Sequence, residues 1–225
     1  MLFLPGSMAA NWSHLPLKSP LLALLILLTT TVTAPAGFSP APNIRVDDAP
    51  SGALIMSCSI TGDSTGSLHA VWQEEPNEIH YSRSATRGAT WSPSESLVSA
   101  SNDSMYSSIA ADNTGGIYDG HLYVVFQNVW AMTYRLDLVR SLDRGQNWES
   151  RLHRIDDGAP AGTIQSNPRV HVDDFGTVMV TWWVPAPGAV VFNSSTDGGD
   201  TWPPYIRVDD GSSIARYPSI TSYGS

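Results

Sequence analysis

Asp112-Asn113-Thr114-Gly115-Gly116-Ile117-Tyr118-Asp119-Gly120 places two carboxylates, an amide and a hydroxyl in one short insert. Calcium takes hard oxygen donors of this kind. The spacing departs from a 12-residue EF-hand loop, so a plain turn is the expectation, with Ca2+ the alternative and otherwise no cofactor. His14, His69, His80, His121, His153 and His171 form no metal-ligand spacing, and no metal is assigned. The chain has no Gly-rich phosphate loop and no Ser nucleophile elbow. Trp182 and Trp183 are adjacent, so one faces each side of a strand. Core for one and surface for the other is the plain reading; a sugar-stacking platform is the sharper one. Cys58 is the single cysteine, which excludes an intrachain disulfide. It is expected as a small buried hydrophobe in a strand over residues 53–60, against the alternative of a reactive or intermolecular thiol.

The elements that would position these groups repeat. Ser195-Thr196-Asp197-Gly198-Gly199-Asp200-Thr201-Trp202 shares its skeleton with Ser141-Leu142-Asp143-Arg144-Gly145-Gln146-Asn147-Trp148. Ser84-Ala85-Thr86-Arg87-Gly88-Ala89-Thr90-Trp91 is a third copy, with Thr86 where the others have Asp. The serines are 57 and then 54 residues apart. A fixed period of this size means a repeat architecture. Short β-runs flank each copy, so the unit reads as the turn of a β-hairpin. Asp143 and Asp197 would accept turn N–H groups, Gly88, Gly145 and Gly199 would supply positive φ, and Trp91, Trp148 and Trp202 would bury apolar surface. All of these, with Ser84, Ser141 and Ser195, are read as structural.

In register, S-x-D-x-G-x-[TN]-W resembles the Asp-box of the sialidase-like (BNR-repeat) β-propellers, over residues from about 43 to 225. The resemblance implies an all-β propeller in which each box joins the third and fourth strands of a blade, on the side away from the active site.

The composition agrees with a loop-rich all-β chain: 42% hydrophobic and 15% charged, with 18 Gly, 16 Pro and 8 Trp in 225 residues. The formal net charge of −9 argues against a nucleic-acid partner, which would need a basic face. Residues 1–36 read as a secretory signal peptide, with Lys18, the run Leu21–Leu28 and the small-x-small site Ala34-Pro35-Ala36 before Gly37. An uncleaved anchor and a start at Met8 are the alternatives. The mature chain is expected to have no stable membrane span, to be secreted or held at the cell envelope, and, without disulfides, to suit a bacterial or archaeal envelope.

Residues 37–225 then divide into blades at about 53–102, 103–157 and 163–210, with the next starting at 214–225. Strands are predicted at 53–60, 67–73, 79–84 and 94–98; at 106–111, 121–127, 134–140 and 151–155; and at 168–172, 177–184, 189–194 and 205–208. Ile44-Arg45-Val46-Asp47-Asp48 echoes Arg154-Ile155-Asp156-Asp157 and Ile206-Arg207-Val208-Asp209-Asp210, so residues 43–47 look like an outer strand lent to close a ring. The family's sialidases have six blades. The chain is therefore expected to be an incomplete propeller, an N-terminal portion of a longer protein; the alternative is an open edge that pairs with another copy.

The resemblance places a site at the channel mouth, near the starts of the first strands. Tyr106, Arg169, Arg216 and Tyr217 fall there and are the candidate ligand residues. Sialidases hold a carboxylate with three arginines and use a Tyr nucleophile. The family's Phe/Tyr-Arg-Ile-Pro motif is absent; Arg45 is the nearest arginine and a further candidate, although its echoes at Arg154 and Arg207 make it a repeat-position residue. No catalytic residue is assigned. The expected function is a propeller that binds glycan or an envelope protein. The alternative is an exo-acting, sialidase-like glycoside hydrolase whose main catalytic residues lie beyond residue 225. An assembly or adhesion factor is a third, weaker reading.

Overall fold

The computed structural model describes residues 43–98, 103–130, 133–157, 159–160, 162–211 and 215–223. The expected signal peptide over residues 1–36 lies outside them. Among the described residues twelve strands form three antiparallel sheets. The first sheet holds β1 (Ile55–Gly62), β2 (Leu68–Glu74), β3 (Glu78–Ser84) and β4 (Glu95–Val98) in that order. The second holds β5 (Asp103–Ala111), β6 (Leu122–Trp130), β7 (Thr133–Ser141) and β8 (His153–Arg154). The third holds β9 (Ser166–Val172), β10 (Val178–Val184), β11 (Ala189–Ser195) and β12 (Ile206–Arg207). Each is a meander of short strands with β-branched and aromatic residues, with glycine in its first-to-second and third-to-fourth strand turns.

The register gives every sheet two distinct ends. Gly62 pairs with Leu68 and Leu68 with Ser84, so the repeat turns and the first-to-second-strand turns share one end. Glu74 pairs with Glu78 and Ile55 with Glu74 at the other.

Two cores hold the sheets together. Val71, Ile79 and Tyr81 of the first sheet meet Ile109, Leu122, Val124 and Phe126 of the second. Tyr123, Val125, Leu136 and Leu138 of the second meet Val178, Val180 and Trp182 of the third. Full burial of a side chain of this size contributes about 1.5–3 kcal/mol. The alternation in β6 foretells one buried face, through Leu122, Val124 and Phe126. The structure buries both, because the second sheet is the middle layer.

First strands join sheet to sheet by side-chain latches. The Ile109 amide donates to Ser59 Oγ at 3.3 Å, and the Val170 amide donates to Ser108 Oγ at 3.3 Å. Ser107 Oγ donates to the Ser57 carbonyl at 3.2 Å. Ser59-Ile60, Ser108-Ile109 and Ser219-Ile220 are one repeated dipeptide, with Arg169-Val170 as its third-sheet form.

Two expectations change, at Cys58 and at residues 43–47. Cys58 is exposed, not buried. It lies on β1, where Ile55, Met56 and Ile60 are exposed too, because no sheet packs on that face among the described residues. Residues 43–47 form no strand; Arg45 turns back on Asp47, and Asp48 accepts the Ser94 amide at 3.1 Å. Residues 215–223 lie against the third sheet without forming a strand, with His171 Nε2 2.7 Å from Ser222 Oγ.

Candidate functional site

The repeat turns use up their own chemistry. In the second sheet, Ser141 Oγ accepts the Gly145 amide at 2.8 Å and donates to Asp143 Oδ1 at 2.9 Å. Asp143 Oδ1 also accepts the amides of Gln146 at 3.0 Å and Asn147 at 2.8 Å. The third sheet repeats the set through Ser195, Gly199, Asp197 and Thr201. In the first, Ser84 Oγ accepts the Gly88 amide at 2.8 Å, and Thr86 Oγ1 takes the Asp's place by accepting the Thr90 amide at 2.8 Å. Gly88, Gly145 and Gly199 sit at φ +87°, +73° and +87°. Burial raises the Asp197 carboxyl, but hydrogen bonds from Thr201 and Ser195 outweigh it and hold the group down to about 2. A carboxylate so fixed is a poor proton donor at neutral pH. Trp148 packs edge-on against Tyr81 at 4.9 Å, and Trp202 Nε1 donates to the Gly199 carbonyl at 3.1 Å. Trp91 is half-buried at the corresponding place.

Most of the insert's oxygens are bonded within the chain; Asp112 Oδ2 is buried without a partner among the described residues. Asp112 Oδ1 caps its own turn through Thr114, and Asp119 is bound by the Arg144 guanidinium at 2.5 Å. Among the described residues no group of three or more His, Cys, Asp or Glu side chains could hold a metal ion. Asp112 belongs to a second repeat that the sequence reading missed. Asp63, Asp112 and Asp173 each begin a D-x-x-G turn after a first strand, and Gly66, Gly115 and Gly176 have φ of +85°, +71° and +80°. The Asp63 and Asp173 carboxylates accept the amides of Ser67 and Thr177, four residues on, at 3.0 and 2.8 Å. The D-x-x-G spacing was the available signal.

Arg45 pairs with Asp47 and donates to the Ala49 carbonyl at 2.9 Å. Arg154–Asp156 at 3.0 Å and Arg207–Asp209 at 2.7 Å are the same Arg-x-Asp pair on later repeats.

The other candidates gather at the opposite end of the sheets. Each first strand carries a β-bulge there: between Met56 and Ser59 in β1, between Met105 and Ser108 in β5, and opposite Thr181–Trp183 in β9. Each places a non-glycine residue at positive φ: Ser57 at 50°, Tyr106 at 57°, Asn167 at 53°. Tyr217 has φ 53° at the corresponding place in the Tyr-Pro-Ser-Ile stretch. Bulges and left-handed residues re-aim side chains and store strain, and they concentrate at functional sites. Tyr106 is half-buried, whereas Arg169, Arg216 and Tyr217 are exposed. Arg169 donates only to the Pro168 carbonyl, at 2.8 Å, among the described residues.

Trp182 and Trp183 divide as their adjacency requires. Trp182 is fully buried between the second and third sheets and donates to Gln165 Oε1 at 2.6 Å. Trp183 faces the other way. Its ring lies 6.0 Å from Tyr217 and 5.3 Å beneath the Arg216 guanidinium, and its Nε1 has no partner among the described residues. Gln73 and Gln127 hold the matching positions of the earlier sheets. The structure thus brings together Arg216, Tyr217 and Trp183 at the bulged end, and leaves Arg45 in a separate surface pair.

No helix among the described residues is long and apolar enough to cross a membrane. No family model and no curated protein matches the chain. Solved structures do. A Hadza microbial sialidase superposes with a TM-score of 0.55 at 19% identity, covering 66% of this chain and 36% of that one. A Penicillium chrysogenum alpha-L-arabinanase complexed with arabinobiose superposes with a TM-score of 0.56 at 17% identity, covering 72% of this chain and 53% of that one. The chain therefore spans between about a third and about half the length of these proteins. Three four-stranded antiparallel sheets, repeat turns in register and these two superpositions give the chain a fold similar to the blades of sialidase-like β-propellers.

Proposed function

We propose that the chain binds glycan at the bulged end of its first strands. The observation that carries this is the recurrence of a left-handed residue at Ser57, Tyr106, Asn167 and Tyr217, the first three at strand bulges, beside an aromatic–arginine cluster at Trp183 and Arg216. Aromatic faces stack on sugar rings. Arg169 and Arg216 are exposed and pair with no carboxylate among the described residues, which favours an acidic sugar. The likeness to a sialidase and an arabinanase supports a sugar over a protein partner. Residues 1–36 support an envelope or extracellular setting; N-terminal sequencing of the exported product should then begin at Gly37.

The test is calorimetry of the full chain with sialyllactose, lactose and arabinobiose, wild type against Trp183→Ala and Arg216→Ala. Both variants should bind about tenfold more weakly, the loss of a stacking or cation–π contact. Binding of none of the three sugars, or variants indistinguishable from wild type, defeats the reading. Release of free sugar from sialyllactose or arabinobiose would move the assignment to the hydrolase alternative.

A further inference from the structure

Asp63, His69 and Tyr81 form a buried chain at the joint between the first and second sheets. His69 and Tyr81 are 0% and 1% exposed. His69 Nε2 lies 3.2 Å from Asp63 Oδ2, and His69 Nδ1 lies 2.8 Å from Tyr81 Oη. With the imidazole neutral, every group is satisfied: Nε2–H donates to the Asp63 carboxylate, and the Tyr81 hydroxyl donates to Nδ1. Tyr81 belongs to β3, yet its hydroxyl sits under the second sheet's repeat turn. A Cβ on Gly145 would overlap Tyr81 Oη, and the ring packs edge-on against Trp148.

We infer that the Asp63–His69–Tyr81 chain is a protonation-sensitive latch between the first and second sheets. When the imidazole gains a proton from solvent, Nδ1 becomes a donor. The Tyr81 hydroxyl hydrogen then loses its acceptor, and Oη has no other hydrogen bond among the described residues. A buried hydroxyl hydrogen without a partner disfavours the docked position of Tyr81. The charged surroundings set how strongly. Asp63, on the β1–β2 turn, favours the imidazolium; Arg83 on β3 and Arg144 on the β7–β8 turn oppose it. Glu95 on β4 and Asp143 on the β7–β8 turn act on Tyr81. Burial is the largest influence on His69 and, with the two arginines, holds it below the ordinary imidazole value, so the latch is closed at neutral pH and opens on the acid side.

The joint between the second and third sheets is the comparison. There Leu138 takes the place of Tyr81, 3.7 Å from where a Cβ on Gly199 would stand; Tyr123 stands equally close, but its hydroxyl lies 3.5 Å from Nδ1 of His121, which is only half-buried, against 2.8 Å for Tyr81 and the fully buried His69. Hydrogen exchange of the full chain, corrected for intrinsic rates, should show protection of residues 141–148 falling about tenfold as pH drops from about 7.5 to about 5, while residues 195–202 stay protected. His69→Gln keeps a neutral donor to Asp63 and an acceptor for Tyr81, and should abolish the response. Should that variant not fold, Tyr81→Phe removes the conflicted hydroxyl and should flatten the same profile. An equal loss at both turns, or an acid response that survives either variant, overturns the latch.

Discussion

Arg140 Nη2 of β7 lies 2.7 Å from Asp200 of the third sheet's repeat turn, while the same guanidinium holds Glu149 of its own sheet at 2.8 Å and donates to the Gly198 carbonyl. Arg83 makes the matching bond one sheet earlier, to the Arg144 carbonyl at 3.4 Å. The residue just before the turn serine thus ties each sheet to the next turn. The second tie is the stronger one: Arg140 is nearly buried and its charge is met from both sides. Arg140→Met leaves Glu149 and Asp200 facing each other without a cation. It should cost about 2–3 kcal/mol in urea unfolding, below the range for a fully buried pair because Asp200 is more than half exposed. Arg83→Met should cost under about 1 kcal/mol.

Glycines of the same backbone type should differ by what lies above them. Gly145 has φ +73° and Tyr81 against its open face, whereas Gly52 has φ +96° with nothing within 4 Å. Gly52→Ala meets only the left-handed backbone penalty, about 1–2 kcal/mol. Gly145→Ala adds displacement of a buried aromatic side chain and should lose upwards of about 4 kcal/mol. Equal midpoint shifts in denaturant would show that Tyr81 does not lean on this turn.

Acid should act in two separate ranges. Asp197 has its folded value depressed to about 2 from 3.8, so the stability it contributes is present above 3.8 and is lost as pH falls through about 2. Asp197→Asn should flatten the stability profile between those values. The Thr86 turn has no carboxylate to titrate and contributes nothing there. His69 is depressed as well; a histidine that folds preferentially neutral loses stability as pH drops below its ordinary value near 6.5. Circular dichroism across the full acid range should resolve the two steps, the upper removed by His69→Gln and the lower reduced by Asp197→Asn.

Ile60 and Ile109 occupy the same repeat position, yet Ile60 is 58% exposed and Ile109 5%. Ile109→Ala should cost about 2–4 kcal/mol, the transfer term plus a cavity. Ile60→Ala should fall within about 0.5 kcal/mol of wild type. A large loss at Ile60 in calorimetric melts would mean that this face is covered in solution.

The repeat turns were legible because their bonds are local. Ser141 to Gly145 and Asp143 to Asn147 are four-residue reaches, so spacing alone encodes them. The D-x-x-G turns are equally local; the insert at Asp112–Gly120 reads as a plain turn by itself, and the recurrence shows only when Asp63, Asp112 and Asp173 are aligned. The candidate site was legible in part. Register placed Tyr106, Arg169, Arg216 and Tyr217 near first-strand starts, but no pattern announces the bulges at Tyr106 and Asn167, or the left-handed backbone that they share with Tyr217. Nor does a sequence show that Trp183 will face Arg216 while Trp182 faces the core.

By itself the sequence determined an all-β chain of three repeated four-stranded units, since turn chemistry and strand alternation act over a few residues. Tertiary structure alone decided what crosses between units: Tyr81 beneath Gly145, Arg140 on Gly198 58 residues away, Arg83 on Arg144 61 residues away. It also decided that Cys58 is exposed while Ile109, on the matching strand, is buried. The physical reason is that a residue's burial in a stack of sheets depends on which sheet covers its face, and that neighbour lies some fifty residues away along the chain.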